Sequence, residues 1–483
     1  MELKKNIEDG GIQTQTKLAY PKCIFFIISN EVCERFNFYG IRTILYLYMT
    51  DKLKLDPNTA TVQFHAFSMF VYFTSIFGGI LSDVWLGRYR TILSLSIVYA
   101  VGSLLISIVA IPSINISATG ALYVGLAFIA IGSGGIKPCV SVFAGDQFKL
   151  PEQSAELDTF FSWFYFAINL SVLISSFLTP FLRENVHCFG ENDCYSLAFA
   201  VPAFLMIISI VFLIIGKHWY TMKPPSGNIL FQIMKCITNA ILVKIRLWGG
   251  DSREHFLDYS IEKYGQQLVD DTKMLLEIVL IFVPMPLFWS LFDQIGSRWV
   301  EQATKMNGNI GWYKILPDQM QMLNPFLDLA FIPTMDFWIY PILNKFGIRS
   351  QLQKLAIGGF FGVISFAASA MVQWQVEVKP DEVHILWQIP QYVFISLGEI
   401  LFTIPALLFA YEKSPDSIKS LVQALLWLTS AFGSAIVALI ASINYFNSLT
   451  YEFLLFSVLM LIDIIVFMIL AARFQRREKS LTV

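Results

Sequence analysis

Stretches of roughly 20 apolar residues recur along this chain, separated by short polar segments, and that is the length at which an α-helix crosses about 30 Å of hydrocarbon. The pattern predicts spans at 23–49, 62–81, 91–111, 119–140, 160–182, 196–215, 274–293, 323–343, 355–374, 384–411, 421–442 and 451–472. The apolar runs are continuous and far longer than barrel strands of about ten residues, which excludes a transmembrane β-barrel. One long polar stretch divides the spans into six before and six after. The expected fold is therefore an all-α membrane protein of about twelve transmembrane helices in two six-helix halves. Residues 1–216 form the first half, 217–273 a cytosolic linker and 274–483 the second half. Such a layout places a substrate site near the midplane, between the halves.

Composition agrees: 55% of the 483 residues are hydrophobic and only 14% charged, too few charges to cover a water-soluble domain. The net charge of −2 says less than where the basic residues sit. Gly87-Arg88-Tyr89-Arg90, the 217–273 stretch and Arg473–Lys479 lie on one side, so both termini are expected in the cytosol. Residues 1–20 are polar, and the first apolar run continues as a full span, so no signal peptide is read there. Cys188 and Cys194 flank a short polar segment on the outer side, as a disulfide or as free thiols, and Asn115-Ile116-Ser117 is a glycosylation sequon on that side. No metal-ligand cluster, phosphate-binding loop or activated nucleophile is visible. The sequence is therefore not read as an enzyme, and no cofactor or nucleic-acid partner is implied; energy would come from an ion gradient.

The first span carries Glu31, Glu34, Arg35 and Arg42 in an otherwise apolar helix. At about 2.5–3.5 kcal/mol each, four charges facing lipid at mid-depth would cost roughly 10–14 kcal/mol. Together with Tyr39 they occupy one helical stripe with acids and bases at i, i+3 and i+4, so they face protein or water and can pair. A carboxylate whose partner changes between conformations can load and release a proton; a static ion-pair cluster is the alternative.

These residues carry a resemblance. Glu31-Val32-Cys33-Glu34-Arg35-Phe36 matches the E-x-x-E-R-F motif of the proton-coupled oligopeptide transporters, and Tyr39-Gly40 and Arg42 continue it. Gly134-Gly135-Ile136-Lys137-Pro138, Phe164-Tyr165-x-x-Ile168-Asn169, Phe288-Trp289, Asp293-Gln294, Gly296-Ser297-Arg298-Trp299 and Asn324-Pro325 resemble further segments of the family, the last four in its animal members. Gly78-Gly79 through Asp83 to Arg88 and Arg90 resembles the loop motif of the major facilitator superfamily. The resemblance implies that Glu31, Glu34 and Arg35 couple protons, with Lys137 as their salt-bridge partner and His65 as a proton relay. It also implies that Arg42 meets a peptide carboxylate, a suitable partner for a guanidinium, and that Tyr39, Tyr72, Asn169, Trp289 and Asn324 line the pocket.

Three departures from the family pattern stand out. In Ala406-Leu407-Leu408-Phe409-Ala410-Tyr411, Leu408 occupies the position where the family places a glutamate for the peptide amino group. Glu277 stands where a basic partner for Asp336 is expected, so that two acids would repel. The loop near 375–383 lacks a large insertion. Gln388, Gln391, Tyr392, Ser396 and Glu399 share one side of the tenth span, lining the cavity or bonding neighbouring helices. The resemblance implies proton-coupled symport of di- and tripeptides or peptide-like solutes by alternating access, in the plasma membrane. The alternatives are a solute without a free α-amino group, or a membrane peptide sensor that does not transport.

Overall fold

The computed structural model describes residues 20–112, 118–149, 152–225, 227, 229–246, 253, 255–414, 419–443, 445–446 and 448–481. Asn115 lies outside them. The helices in chain order are α1 (Cys23–Leu47), α2 (Pro57–Ile80), α3 (Arg88–Val109), α4 (Ala118–Gly145), α5 (Ser154–Asn185), α6 (Tyr195–Ile215), α7 (Ile229–Arg246), α8 (Ile261–Tyr264), α9 (Gln266–Phe282), α10 (Met285–Phe292), α11 (Arg298–Thr304), α12 (Leu323–Thr334), α13 (Tyr340–Lys345), α14 (Gln351–Val378), α15 (Ile389–Lys413), α16 (Lys419–Ile443) and α17 (Leu449–Leu481).

Among the described residues nine helices are long and apolar enough to cross a membrane, and two bent pairs bring the number to eleven. Helix α1 is also of spanning length, but its four charged residues set it apart from the purely apolar spans. One bent pair, Gln266–Phe282 with Met285–Thr304, turns by 45° at Val283-Pro284. Proline has no N–H to give the preceding turn, which is the usual cause of such a break. This span continues well beyond residue 293, where the hydropathy pattern ended it, because Arg298 and Glu301 mask its last turns. Both are buried, and they neutralise each other at 2.9 Å.

Two apolar cores form. One gathers residues from Cys23 to Tyr220, together with Val300, and the other gathers residues from Ile233 to Ala471. Within the first, α1 is stitched to α6 by buried amides: Asn30 Nδ2 donates to Ser209 Oγ at 2.6 Å, and Asn37 Nδ2 to the Pro202 carbonyl at 2.8 Å. Small residues allow the α2–α4 crossing. A Cβ on Gly78 would lie 2.2 Å from the Gly135 carbonyl oxygen, so only glycine permits that approach.

The segment between the halves carries α7 and packs a small core of Cys236, Ala240, Leu257 and Val269. It is tied to the first half by Lys223–Asp146 at 2.7 Å and by Gln147, which exchanges hydrogen bonds with the backbone of Thr221. Arg88 bonds the same Asp146 and lies 3.9 Å from Asp83, joining the two ends of the loop motif. Asp258 and Lys273 meet at 2.7 Å and fasten the segment to α9. Cys188 and Cys194 are joined as a disulfide, so the free-thiol alternative is set aside.

Candidate functional site

The charged stripe of α1 faces inward. Glu31, Glu34 and Arg35 are all buried. Arg35 Nε donates to Glu31 Oε1 at 2.7 Å and lies 3.1 Å from Glu34 Oε2, the second contact being an ion pair without hydrogen-bond alignment. Ser133 Oγ on α4 donates to Glu34 Oε1 at 3.0 Å. Both Oε2 atoms remain buried without a hydrogen-bond donor. Lys137 is the correction in this group. Its ammonium stands 4.3 Å from the centre of the Phe38 ring and 5.7 Å from that of Tyr72, and it forms no ion pair within 4.0 Å among the described residues. Arg35 takes both glutamates because it shares their helix face, while the aromatic faces of Phe38 and Tyr72 hold the lysine by cation–π attraction.

Higher on the same helix, Arg42 is already paired. Its Nη2 donates to Asp293 Oδ1 of the second half at 3.1 Å, Ser434 Oγ holds the other oxygen, and the guanidinium lies 5.0 Å from the Phe64 ring centre. Beside it His65 Nε2 meets Ser297 Oγ at 2.8 Å, with Nδ1 buried and unpartnered. Three more contacts join the halves at this end of the bundle. Arg183 grips Asp318 through two nitrogens at 3.0 and 3.1 Å, Tyr46 OH reaches Glu301 at 3.4 Å, and Arg298 donates to Asn58 at 2.7 Å while binding Glu452 at 2.8 Å. Since α1 rises from Cys23 to Leu47 and α9 rises from the linker, this cluster of bridges lies opposite the termini and linker.

The second half supplies a polar wall. Asn324 Nδ2 on α12 donates to Glu399 Oε2 at 2.8 Å and to Ser396 Oγ at 3.1 Å on α15. Asp328, one turn beyond Asn324, is buried and within electrostatic reach of the same Glu399. From α1, Tyr39 feels the charges of Arg35, Arg42, Glu399 and Asp293 together, so it stands between the two halves' charged groups. Tyr72 stacks on Trp427 with ring centres 6.4 Å apart, and Trp427 in turn contacts Trp289 at 6.4 Å. Asn169 is buried on α5 and donates to the Tyr165 carbonyl at 3.0 Å. Thus Tyr39, Arg42, Tyr72, Trp289 and Asn324 come together around the interface, whereas the Asn169 amide is engaged within its own helix.

Two of the departures meet their surroundings in the structure. Leu408 is 42% exposed, and about two and a half turns of α15 separate it from Glu399 at 3.6 residues per turn. The acid of α15 that bonds the Asn324 wall is Glu399. The Glu277 carboxylate pairs with Arg477 of α17 at 2.8 Å; the Asp336 side chain, its expected neighbour, lies outside the described residues. The polar side of α15 also divides. Gln388 and Gln391 bond Gln302 at 2.9 and 3.0 Å and hold α11 and α15 together, while Ser396 and Glu399 face the cleft. Asp328 escaped the sequence reading because Leu323–Thr334 otherwise reads as a plain apolar span. Its position one turn after Asn324 was the available signal.

Two helical halves bridged by ion pairs at one end, with charged groups buried between them, form an all-α membrane protein of the major facilitator fold. Residues 89–452 match the family model described as PTR2, POT family, and the chain belongs to that family. It is 48% identical over 386 residues to Peptide transporter family 1 of Drosophila melanogaster, covering 78% of this chain and 52% of that protein. It is 46% identical over 384 residues to human Solute carrier family 15 member 2, again covering 78% and 52%. The chain thus spans about half the length of these relatives. Among solved structures, the POT family transporter PepTSo is 28% identical and superposes with a TM-score of 0.83 over 95% of this chain and 99% of that one.

Proposed function

We propose that this chain is a proton-coupled symporter of di- and tripeptides or closely related solutes, working by alternating access between its two halves. The observation that carries the reading is the placing of Arg42 and Glu399 on opposite halves, both within electrostatic reach of Tyr39. A guanidinium on one wall and a carboxylate on the other match the carboxylate and ammonium ends of a zwitterionic peptide. Tyr39, Tyr72, Trp289 and Asn324 offer phenol, indole and amide groups to the backbone and varied side chains between those ends. Because Glu399 supplies the counter-charge, the reason for preferring a solute without a free amino group falls away.

Proton coupling rests on Glu31, Glu34 and Arg35, with Lys137 and His65 as secondary groups. Two buried carboxylates share one guanidinium, and each keeps an oxygen without a donor. Such a cluster has room for a proton and little tolerance for two uncompensated charges. The bridge from Arg42 to Asp293 closes the end opposite the linker, and a peptide carboxylate competes with Asp293 for that guanidinium. Binding substrate at this end therefore acts on the closure. The distribution of lysine and arginine supports a cytosolic position for the termini and linker, and the plasma membrane is the proposed site of action.

The test is uptake into vesicles with an imposed pH gradient. Glu31→Gln and Glu34→Gln keep size and some hydrogen bonding but remove a titrating group, so each is expected to abolish accumulation while peptide exchange persists. Undiminished accumulation by both variants would sink the coupling assignment.

A further inference from the structure

The Glu399 wall contains more than a peptide counter-charge needs. Asp328 is 2% exposed, its Oδ1 is buried without any hydrogen-bond partner, and it lies one turn beyond Asn324, within electrostatic reach of Glu399. Asn324 Nδ2 already donates to Glu399 Oε2. Neither acid forms an ion pair among the described residues, and the other titratable groups facing them are the phenols of Tyr165 on α5 and Tyr39 on α1. Two adjacent buried carboxyls with no cation nearby cannot both stay ionised, because the second negative charge has nothing to offset it, so the pair holds one proton.

We propose that Asp328 and Glu399 form a proton-sharing carboxyl pair on the substrate wall, a proton site separate from the α1 cluster, and that it exchanges its proton for the substrate's ammonium group. The empty pair carries one proton and one negative charge. When an ammonium arrives, its N–H groups donate to the carboxylate oxygens, the shared O–H bond breaks, and that proton passes to water in the cleft. Asp328 sets the proton content of the pair, while Glu399 stands nearer the cleft. The substrate half of this inference rests on the peptide reading; the shared proton does not.

Two measurements on the full chain in lipid nanodiscs separate these parts. Dicyclohexylcarbodiimide reacts with protonated carboxyls in apolar surroundings, and at pH 8 it is expected to label residues 323–334 or 389–413. Labelling should fall at least tenfold in Asp328→Asn, which leaves Glu399 a single carboxylate held by amides. No label in the parent protein, or undiminished label in the variant, overturns the pair. In the second arm, dialanine affinity is measured from pH 5.5 to 7.5 beside N-acetyl-dialanine. Release of one proton on binding makes affinity rise toward tenfold per pH unit, for the free-amino ligand only and only with Asp328 present. Equal slopes for both ligands, or an unchanged slope in Asp328→Asn, overturn the exchange. Normal labelling with binding of neither ligand at any pH instead overturns the peptide reading and the substrate half with it.

Discussion

At the scale of single residues, the clearest consequence concerns which face of α15 reads the solute. Removing the charge at Glu399 leaves a bound ammonium without its partner, and breaking a buried pair costs about 3–5 kcal/mol, or roughly two to three decades of affinity. Glu399→Gln is expected to weaken free-amino dipeptides by that order and N-acetylated ones much less, as read by equilibrium binding. Leu408→Glu should leave the ratio between the two ligand classes unchanged, because Glu399 already places a carboxylate on the Asn324 wall. A gain confined to free-amino ligands in that variant would reverse the assignment. Legibility differed sharply between α1 and α15. Four charges on one stripe of α1 exceed what lipid tolerates, so Glu31, Glu34, Arg35 and Arg42 announce themselves in sequence. On α15 the family-like run drew attention to position 408, and only the helical phase relative to Asn324 distinguishes it from Glu399. Partner choice was also hidden. Arg35 and Lys137 are both candidates for the glutamates on paper, and the aromatic neighbours Phe38 and Tyr72 decide between them.

At the scale of elements, the crossing of α2 and α4 is set by the absence of side chains. Gly78→Ala would put a methyl group 2.2 Å from the Gly135 carbonyl oxygen, and the helices must separate to admit it. Overpacking of this kind costs about 1–3 kcal/mol, so a lowered thermal unfolding midpoint in detergent is expected; an unchanged midpoint would mean that the crossing yields freely. The broken span Gln266–Thr304 was half legible. Its apolar first part and Pro284 stand out, but the last turns carry Arg298, Glu301 and Gln302, whose partners Glu452 and Gln388 lie far along the chain. Hydropathy scores one helix at a time and cannot see charges that are neutralised by another.

At the scale of the whole molecule, the linker behaves as a strap with its own fastening. Asp258 is held below the ordinary carboxylate value of 3.8, first by the hydrogen bond from Lys273 and then by the His255 backbone. A depressed value in the folded state contributes stability above the unfolded value and loses it as pH falls through the folded one. Amide protection across residues 255–264, taken relative to the unfolded chain at the same pH, is therefore expected to fall below about pH 3.8 and to stay constant between 5 and 7. Loss of protection already at pH 6 would point to His255 instead. The six-plus-six arrangement was readable because hydrophobic length is a property of each span. Closure at the end opposite the linker was not, since Arg42–Asp293 and Arg183–Asp318 join residues whose proximity no local pattern encodes.

The charged stripe of α1 also bears on how the protein is made. During synthesis α1 emerges before the other described helices, and the groups that neutralise or enclose it come later: Ser133 on α4, the α6 amide contacts, and Asp293 in the second half. Until these arrive, the helix carries four charges with Arg35 alone to offset Glu31 and Glu34, and with Arg42 lacking its Asp293 partner. A ribosome-bound chain ending before α4 should therefore fail to hold α1 across the bilayer, and one extended through α6 should hold it. Membrane-protected fragments of stalled chains of graded length would read this directly, and stable integration of α1 alone would contradict it. The residues assigned to carry protons make the first helix a late arrival in its own membrane.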